Sequence, residues 1–323
     1  MSTTPRPLAT TGLSVSPVAL GCWPMAGVTT LGANEADSVA TIHAALDSGV
    51  NHFDNAFVYG RNGESERLLG KALKGRRDEA VIATKGGVHF EDDGMAQDAR
   101  PATLKRECDE SLARLATDRV ELLYLHSPDP KTPIEDSAGA LRELQEAGKT
   151  LSVGASNCTL DQIKAFHAVC PLAAVQLPYN MLQRGIEQET LPWCQENGVA
   201  AMTYWPLMKG LLADKLPRDG KLEPGDKRLT YEIYQGEEWR RNQAFLAELR
   251  SIADACERTV AQVVVNWTMH RPGVTSVLCG AKRAWQIEET AGAMGWRLTA
   301  DQEAAIASAI QRRGDAASNR NFK

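Results

Sequence analysis

The chain has 323 residues, 43% hydrophobic and 24% charged, with a formal net charge of -5. That length buries a core without metal or disulfide support, and the acidic balance gives no electrostatic reason to expect nucleic acid or an anionic membrane as partner. Cysteines at 22, 108, 158, 170, 194, 256 and 279 form no C-x-x-C pair, so neither a zinc ribbon nor a thioredoxin-like motif is suggested. The start, MSTTPRPLATTGLS, lacks the apolar region of an export signal, and no apolar run reaches membrane-spanning length. A cytoplasmic chain with reduced thiols is expected.

Pro7 to Val15 read as a short hairpin turning at Thr11-Gly12. Val18-Ala-Leu-Gly-Cys22 reads as a buried strand. Asn34-Glu-Ala-Asp-Ser opens a helix with apolar positions Val39, Ile42, Ala45 and Leu46, and Gly49 closes it. The unit then recurs. Strands are expected near 51–54, 80–84, 120–125, 150–155, 173–177, 199–204 and 275–279. Helices are expected near 64–74, 101–115, 134–147, 159–169, 186–197 and 259–270, with closing helices near 283–293 and 300–312. Short buried strands alternating with helices predict a parallel sheet, and eight strands close a barrel. The expected class is α/β: a single (β/α)8 TIM barrel over 1–323, with a short N-terminal β-hairpin and a long loop after strand 7. That loop, Met208 to Glu238, is too long for an ordinary connection. It reads either as an exposed insertion or as a flap over the C-terminal face, where barrel enzymes keep their active sites.

Six successive strands end in a polar or reactive group: Asp54, Lys85, His126, Ser156-Asn157, Gln176 and Tyr204. Each alone could be satisfying backbone at a strand end, but together they converge on one mouth. A lysine among them opposes cation binding, so no metal is expected. Lys85 as a Schiff-base nucleophile needs a lowered pKa, against which an adjacent Asp54 works. The remaining chemistry uses Tyr59, on the loop after Asp54. Lys85 would lower the phenol's pKa, Asp54 would hold the lysine, and Tyr59 would donate a proton to a carbonyl oxygen that His126 orients.

The same residues carry a resemblance. Gly49-Val-Asn-His-Phe-Asp54-Asn-Ala-Phe-Val-Tyr59-Gly60, followed by Glu64-Ser-Glu66 and Leu69-Gly-Lys-Ala-Leu73, resembles the signature of aldo-keto reductases. Thr84-Lys85, Leu125-His126, Gly154-Ala-Ser156-Asn157 and Gln176-Leu-Pro-Tyr-Asn180 are similar to further family motifs in the same order, and the likeness runs from about Leu13 to Gly295. It implies a catalytic tetrad of Asp54, Tyr59, Lys85 and His126. It further implies that Ser156, Asn157 and Gln176 hold a nicotinamide carboxamide while Tyr204 stacks on the ring, roles that fit amide donors and acceptors and an aromatic face.

Tyr204-Trp205-Pro206-Leu207, with Gly210-Leu211-Leu212, resembles the family's pyrophosphate stretch, with Trp205 in place of a serine. Cys279-Gly280-Ala-Lys282-Arg283-Ala-Trp-Gln286-Ile-Glu-Glu289-Thr290 resembles the adenosine-binding segment, with Thr290 in place of an asparagine. Lys282 and Arg283 at a helix start could pair with a 2′-phosphate, so NADP(H) is preferred and NAD(H) remains possible. Lys209, Lys215, Arg218 and Lys227 of the long loop are candidates for the pyrophosphate. The resemblance places Trp23 and Phe57, with Tyr59 and His126, near the substrate mouth, and an aromatic rim suits an aldehyde, ketone or aldose. With the sequence ending at Asn321-Phe322-Lys323, no long C-terminal loop is expected to shape that pocket. The expected function is carbonyl reduction by hydride transfer. The alternatives are a Schiff-base lyase on Lys85 and a nicotinamide-binding redox-sensor subunit, a role the resemblance also permits. Oligomeric state is not legible.

Overall fold

The computed structural model describes residues 4–28, 30–92 and 94–317. The chain end at Asn321-Phe322-Lys323 lies outside them. β1 (Arg6–Pro7) and β2 (Ser14–Val15) form an antiparallel hairpin. The barrel strands are β3 (Val18–Gly21), β4 (His52–Asp54), β5 (Val81–Gly86), β8 (Leu122–Leu125), β9 (Val153–Ser156), β10 (Ala174–Pro178), β11 (Ala200–Tyr204) and β12 (Val274–Gly280). All pair in parallel in chain order, and β12 closes on β3 through Val277↔Val18. The eight-stranded parallel barrel is as the periodicity predicts.

Helices cover the outside: α1 (Glu35–Asp47), α2 (Glu64–Ala72), α3 (Pro101–Leu115), α4 (Ile134–Glu146), α5 (Leu160–Val169), α6 (Thr190–Glu196), α7 (Gly236–Ala255), α8 (Val260–Met269), α9 (Ala284–Ala291) and α10 (Ala300–Arg313). Their starts follow local chemistry. Asn34 caps α1 by accepting from Asp37 N. Thr159, Thr259 and Thr299 each form a capping box with a glutamine three residues on. Gly49 leaves α1 at φ 80°, a conformation glycine adopts without strain.

Two elements lie outside the sequence expectations. A hairpin, β6 (Val88–Glu91) with β7 (Gly94–Gln97), follows β5 at the C-terminal face. The 20-residue α7 begins within the stretch whose composition reads as loop. Its buried residues Asn242, Phe245, Leu246, Leu249 and Ala253 are separated by charged ones, which hides the stripe. Arg313 of α10 anchors it through Asn242 Oδ1 and Glu238 Oε2. The long connection after β11 is ordered into 3-10 turns at Met208–Ala213, Lys227–Thr230 and Glu232–Tyr234.

The interior is filled by Ala19, Val81, Ala83, Leu122, Tyr124, Ala174, Ala200, Met202 and Leu278. Leu8 and Val15 of the N-terminal hairpin join this cluster and plug the bottom. Because every strand runs the same way, all strand C-termini open on the opposite face.

Candidate active site

Period-2 alternation turns both His52 and Asp54 of β4 into the barrel, while Phe53 packs outward. Lys85, near the end of neighbouring β5, reaches the same point. Its buried ammonium donates to Asp54 Oδ1 at 2.6 Å, to the Asn55 carbonyl at 2.7 Å and to Tyr59 Oη at 3.3 Å. An ammonium has three hydrogens, and each has an acceptor here. A lysine so engaged is poorly placed for Schiff-base formation. Burial holds Lys85 below its usual pKa, against the opposing pull of Asp54.

Tyr59 departs from expectation. Burial first, then the charge of Asp54, pushes its phenol well above the ordinary value. The lysine does not lower it, because desolvation of the phenolate outweighs one cation already committed to a carboxylate. Tyr59 is therefore a neutral donor. Its ring meets Trp23 edge-on at 5.1 Å and His126 at 6.0 Å. The His126 imidazole is neutral, lowered to about 3 by burial and by Lys85, and its Nδ1 is buried without a partner.

Ser156, Asn157 and Gln176 come together beside the tetrad. Asn157, at φ 61°, donates to the His126 carbonyl at 2.8 Å and accepts from Tyr204 Oη at 2.8 Å. Ser156 Oγ donates to the Gln176 carbonyl at 3.0 Å. Gln176 Nε2 donates to Asp54 Oδ2 at 2.7 Å, a link with no sequence signal, since 122 residues separate the two. This set of amides and hydroxyls beside an aromatic ring has the donor and acceptor chemistry a nicotinamide carboxamide needs. Phe57 is buried, with the Arg114 guanidinium 4.1 Å from its ring centroid.

After β11, Trp205 (φ 60°), Met208 and Lys209 all adopt left-handed backbone. Asn180 Nδ2 and Tyr234 Oη hold the Trp205 and Met208 carbonyls, at 3.1 and 2.8 Å. Leu207 O accepts from the N–H groups of Gly210 and Leu212; Pro206 and Leu212 are buried. Gly280, at the end of β12, lies close against Pro24. Lys209 Nζ sits on the faces of Trp205 (4.5 Å) and Tyr231 (3.6 Å). Arg228, missed by the sequence reading, reaches the Lys209 carbonyl.

Lys282 donates to the Leu31 carbonyl at 2.5 Å, and its backbone N–H to Gln286 at 2.9 Å. Arg283 pairs with Asp37 at 3.0 Å. Glu289 pairs with Lys215 of the long loop at 3.1 Å, and Thr290 bonds back to its own helix. Among the described residues no group of three or more His, Cys, Asp or Glu could hold a metal ion, and no helix is long and apolar enough to cross a membrane.

Comparison with known proteins gives a consistent answer. The sequence model of the aldo/keto reductase family matches residues 17–311. The aldo-keto reductase YhdN of Bacillus subtilis is 33% identical over 94% of this chain and 92% of its own length. A probable aldo-keto reductase of Glycine max is 30% identical over 98% of the chain and 92% of its own. Among solved structures, a glycerol dehydrogenase of Gluconobacter oxydans superposes with a TM-score of 0.90 at 32% identity, covering 99% of both chains. A holo-form aldo-keto reductase of Bacillus halodurans does so with 0.80 at 28%, again over 99% of both.

Proposed function

This chain belongs to the aldo/keto reductase family, and on that premise we propose that it is an NADP(H)-dependent oxidoreductase. It reduces the carbonyl of an aldehyde, ketone or aldose to the alcohol, with Tyr59 as general acid. The observation that carries this reading is the buried line from Asp54 through Lys85 to Tyr59, at 2.6 and 3.3 Å.

A bound reduced nicotinamide supplies the hydride to the carbonyl carbon. The protein's part is the proton and the positioning. Tyr59 keeps its proton at neutral pH because burial opposes ionisation, so the proton is available to the oxygen as negative charge develops there. When Tyr59 gives it up, Lys85 already faces the phenolate oxygen and stabilises the charge. Asp54 keeps that lysine charged and in place. His126 stays neutral and serves as a hydrogen-bond partner that fixes the substrate oxygen. Ser156, Asn157 and Gln176 would hold the carboxamide, with Tyr204 against the ring.

Preference for NADP(H) over NAD(H) rests on Lys282 and Arg283 before α9. Burial, then the neighbouring charges of Arg283 and Arg228, weaken the proton affinity of Lys282. A phosphate dianion would relieve that crowding of cations.

The test is NADPH and NADH oxidation against a panel of aldehydes, ketones and aldoses. Because one structural neighbour is a glycerol dehydrogenase, the panel includes three-carbon polyols and their carbonyl forms, run in both directions. Tyr59→Phe should lose about 100-fold or more of kcat while still binding the cofactor. Wild-type turnover in that variant would remove Tyr59 from the mechanism. Tight cofactor binding with no turnover on any substrate would favour the sensor role instead.

A further inference from the structure

Tyr59 is held differently from its partners. Asp54 and Lys85 sit on neighbouring strands, where the β4–β5 ladder fixes their spacing. Tyr59 lies beyond the end of β4, on the loop that leads to α2. Asn55 N and Phe57 N extend the ladder by donating to the Ala83 and Lys85 carbonyls, but Tyr59 N turns back to the Ala56 carbonyl. The contact between Lys85 Nζ and Tyr59 Oη, at 3.3 Å, is the longest of the three the ammonium makes. Its length depends on where the loop is pinned.

A charged pair outside the barrel wall pins it. Arg114, near the end of α3, donates from Nη1 to the Phe57 carbonyl at 3.2 Å, and its guanidinium lies 4.1 Å from the centroid of the Phe57 ring. One side chain thus holds the residue two before Tyr59 by both backbone and ring. Nη1 also donates to Glu66 Oε2 at 3.2 Å, and Nη2 to Glu110 Oε2 at 3.2 Å. Glu66 of α2 is fully buried, and its other oxygen accepts from Thr84 Oγ1 at 2.6 Å. Thr84 precedes Lys85 on β5, and alternation turns it outward as Lys85 turns in. The pair therefore joins the back of the lysine strand to the loop of the tyrosine. Gly63 makes room for it: a Cβ there would fall 2.4 Å from Arg114 Cδ. A buried ion pair adds little stability over apolar side chains of the same volume. What the guanidinium adds is direction, since its planar fork serves carboxylate, carbonyl and ring face at once.

We propose that Arg114, backed by Glu66, is a positioning residue that sets the Tyr59 hydroxyl against Lys85 by clamping Phe57. The proposal rests on the reading of Tyr59 as the general acid given above. Arg114 acts through Phe57, not on the substrate.

The test combines Glu66→Gln with Arg114→Met, which removes both charges together and leaves neither buried alone. The glutamine carbonyl can still accept from Thr84. The expected result is a kcat for carbonyl reduction lowered about tenfold or more, the scale of a small misplacement of a catalytic group. KM for the carbonyl and NADPH affinity, read by quenching of protein fluorescence, should stay within about twofold. In a Tyr59→Phe background the same two substitutions should add nothing to the loss. If the double variant does not fold, Arg114→Lys decides. Its ammonium can pair with Glu66 but lacks the fork, so kcat should fall about threefold or more. Wild-type kcat in either folded variant would overturn the proposal. So would losses that multiply in full with Tyr59→Phe, or a fall in kcat matched by an equal fall in NADPH affinity, the mark of a general loosening. Tyr59→Phe alone decides the functional reading: its retention of activity would overturn that reading whatever the Arg114 variants do.

Discussion

Lys282 stands where three parts of the chain meet: the loop before α1, the start of α9 and the strap after β11. Its ammonium is tied to the Leu31 carbonyl, and Arg228 and Asp226 lie near enough to act on its charge. This gives the cofactor preference a residue-level test. Lys282→Ala should weaken NADPH binding by about tenfold, the scale of one charge-assisted hydrogen bond partly screened by solvent, and leave NADH nearly unchanged. Fluorescence titration with both cofactors measures it. Equal losses would reduce Lys282 to a strut between Leu31 and α9. At the same scale, Tyr59 shows why a residue's identity does not fix its acidity. The motif places a phenol beside a lysine, but burial decides the direction of the shift.

At the scale of elements, the β6–β7 hairpin depends on a carboxylate outside it. Glu107 of α3 is fully buried and accepts from Gly87 N at 2.7 Å, while His89 Nδ1 lies 2.7 Å from its other oxygen. Burial raises the Glu107 pKa, against the pull of these partners. Glu107→Ala would leave the Gly87 N–H and His89 Nδ1 without their carboxylate partner. Each unmet buried donor costs about 1–3 kcal/mol. The expected outcome is a lower denaturant midpoint, with amide exchange speeding up first across Val88 to Gln97. Uniform exchange changes over the whole barrel would show that the hairpin is not a separate unit. The hairpin and α7 both escape the sequence reading. The hairpin strands are short, and the apolar residues of α7 are interrupted by Arg241, Glu248 and Arg250, so neither gives a clean period.

For the whole molecule, two imidazoles inside the barrel make stability depend on pH. Burial lowers His52 to about 4 and His126 to about 3, from an ordinary 6.5. The unfolded chain takes up these protons as pH falls below about 6.5, while the native state does so only near 4 and 3. The unfolded state therefore binds more protons throughout that window, and stability falls as pH falls. Near pH 5 each histidine should cost about 2 kcal/mol relative to pH 8. Urea unfolding at pH 8, 6 and 5 measures it, and a midpoint unchanged down to pH 5 would contradict the burial of neutral imidazoles.

The order of strands and helices, the count of eight and the polar groups at strand ends are legible along the chain. Each depends on neighbours within a few residues: the alternation that buries Phe53 and turns Asp54 inward, or the threonine and glutamine that open α5. Tertiary structure alone decides what depends on segments far apart. Gln176 meets Asp54, Tyr124 lies under Lys85 because residue 154 is glycine, and Arg228 reaches the Lys209 carbonyl. It also decides the direction of the Tyr59 shift. Charge partners can be anticipated from a motif, but the free energy of an ion depends on how much water the folded barrel removes around it, and no single stretch of sequence contains that quantity.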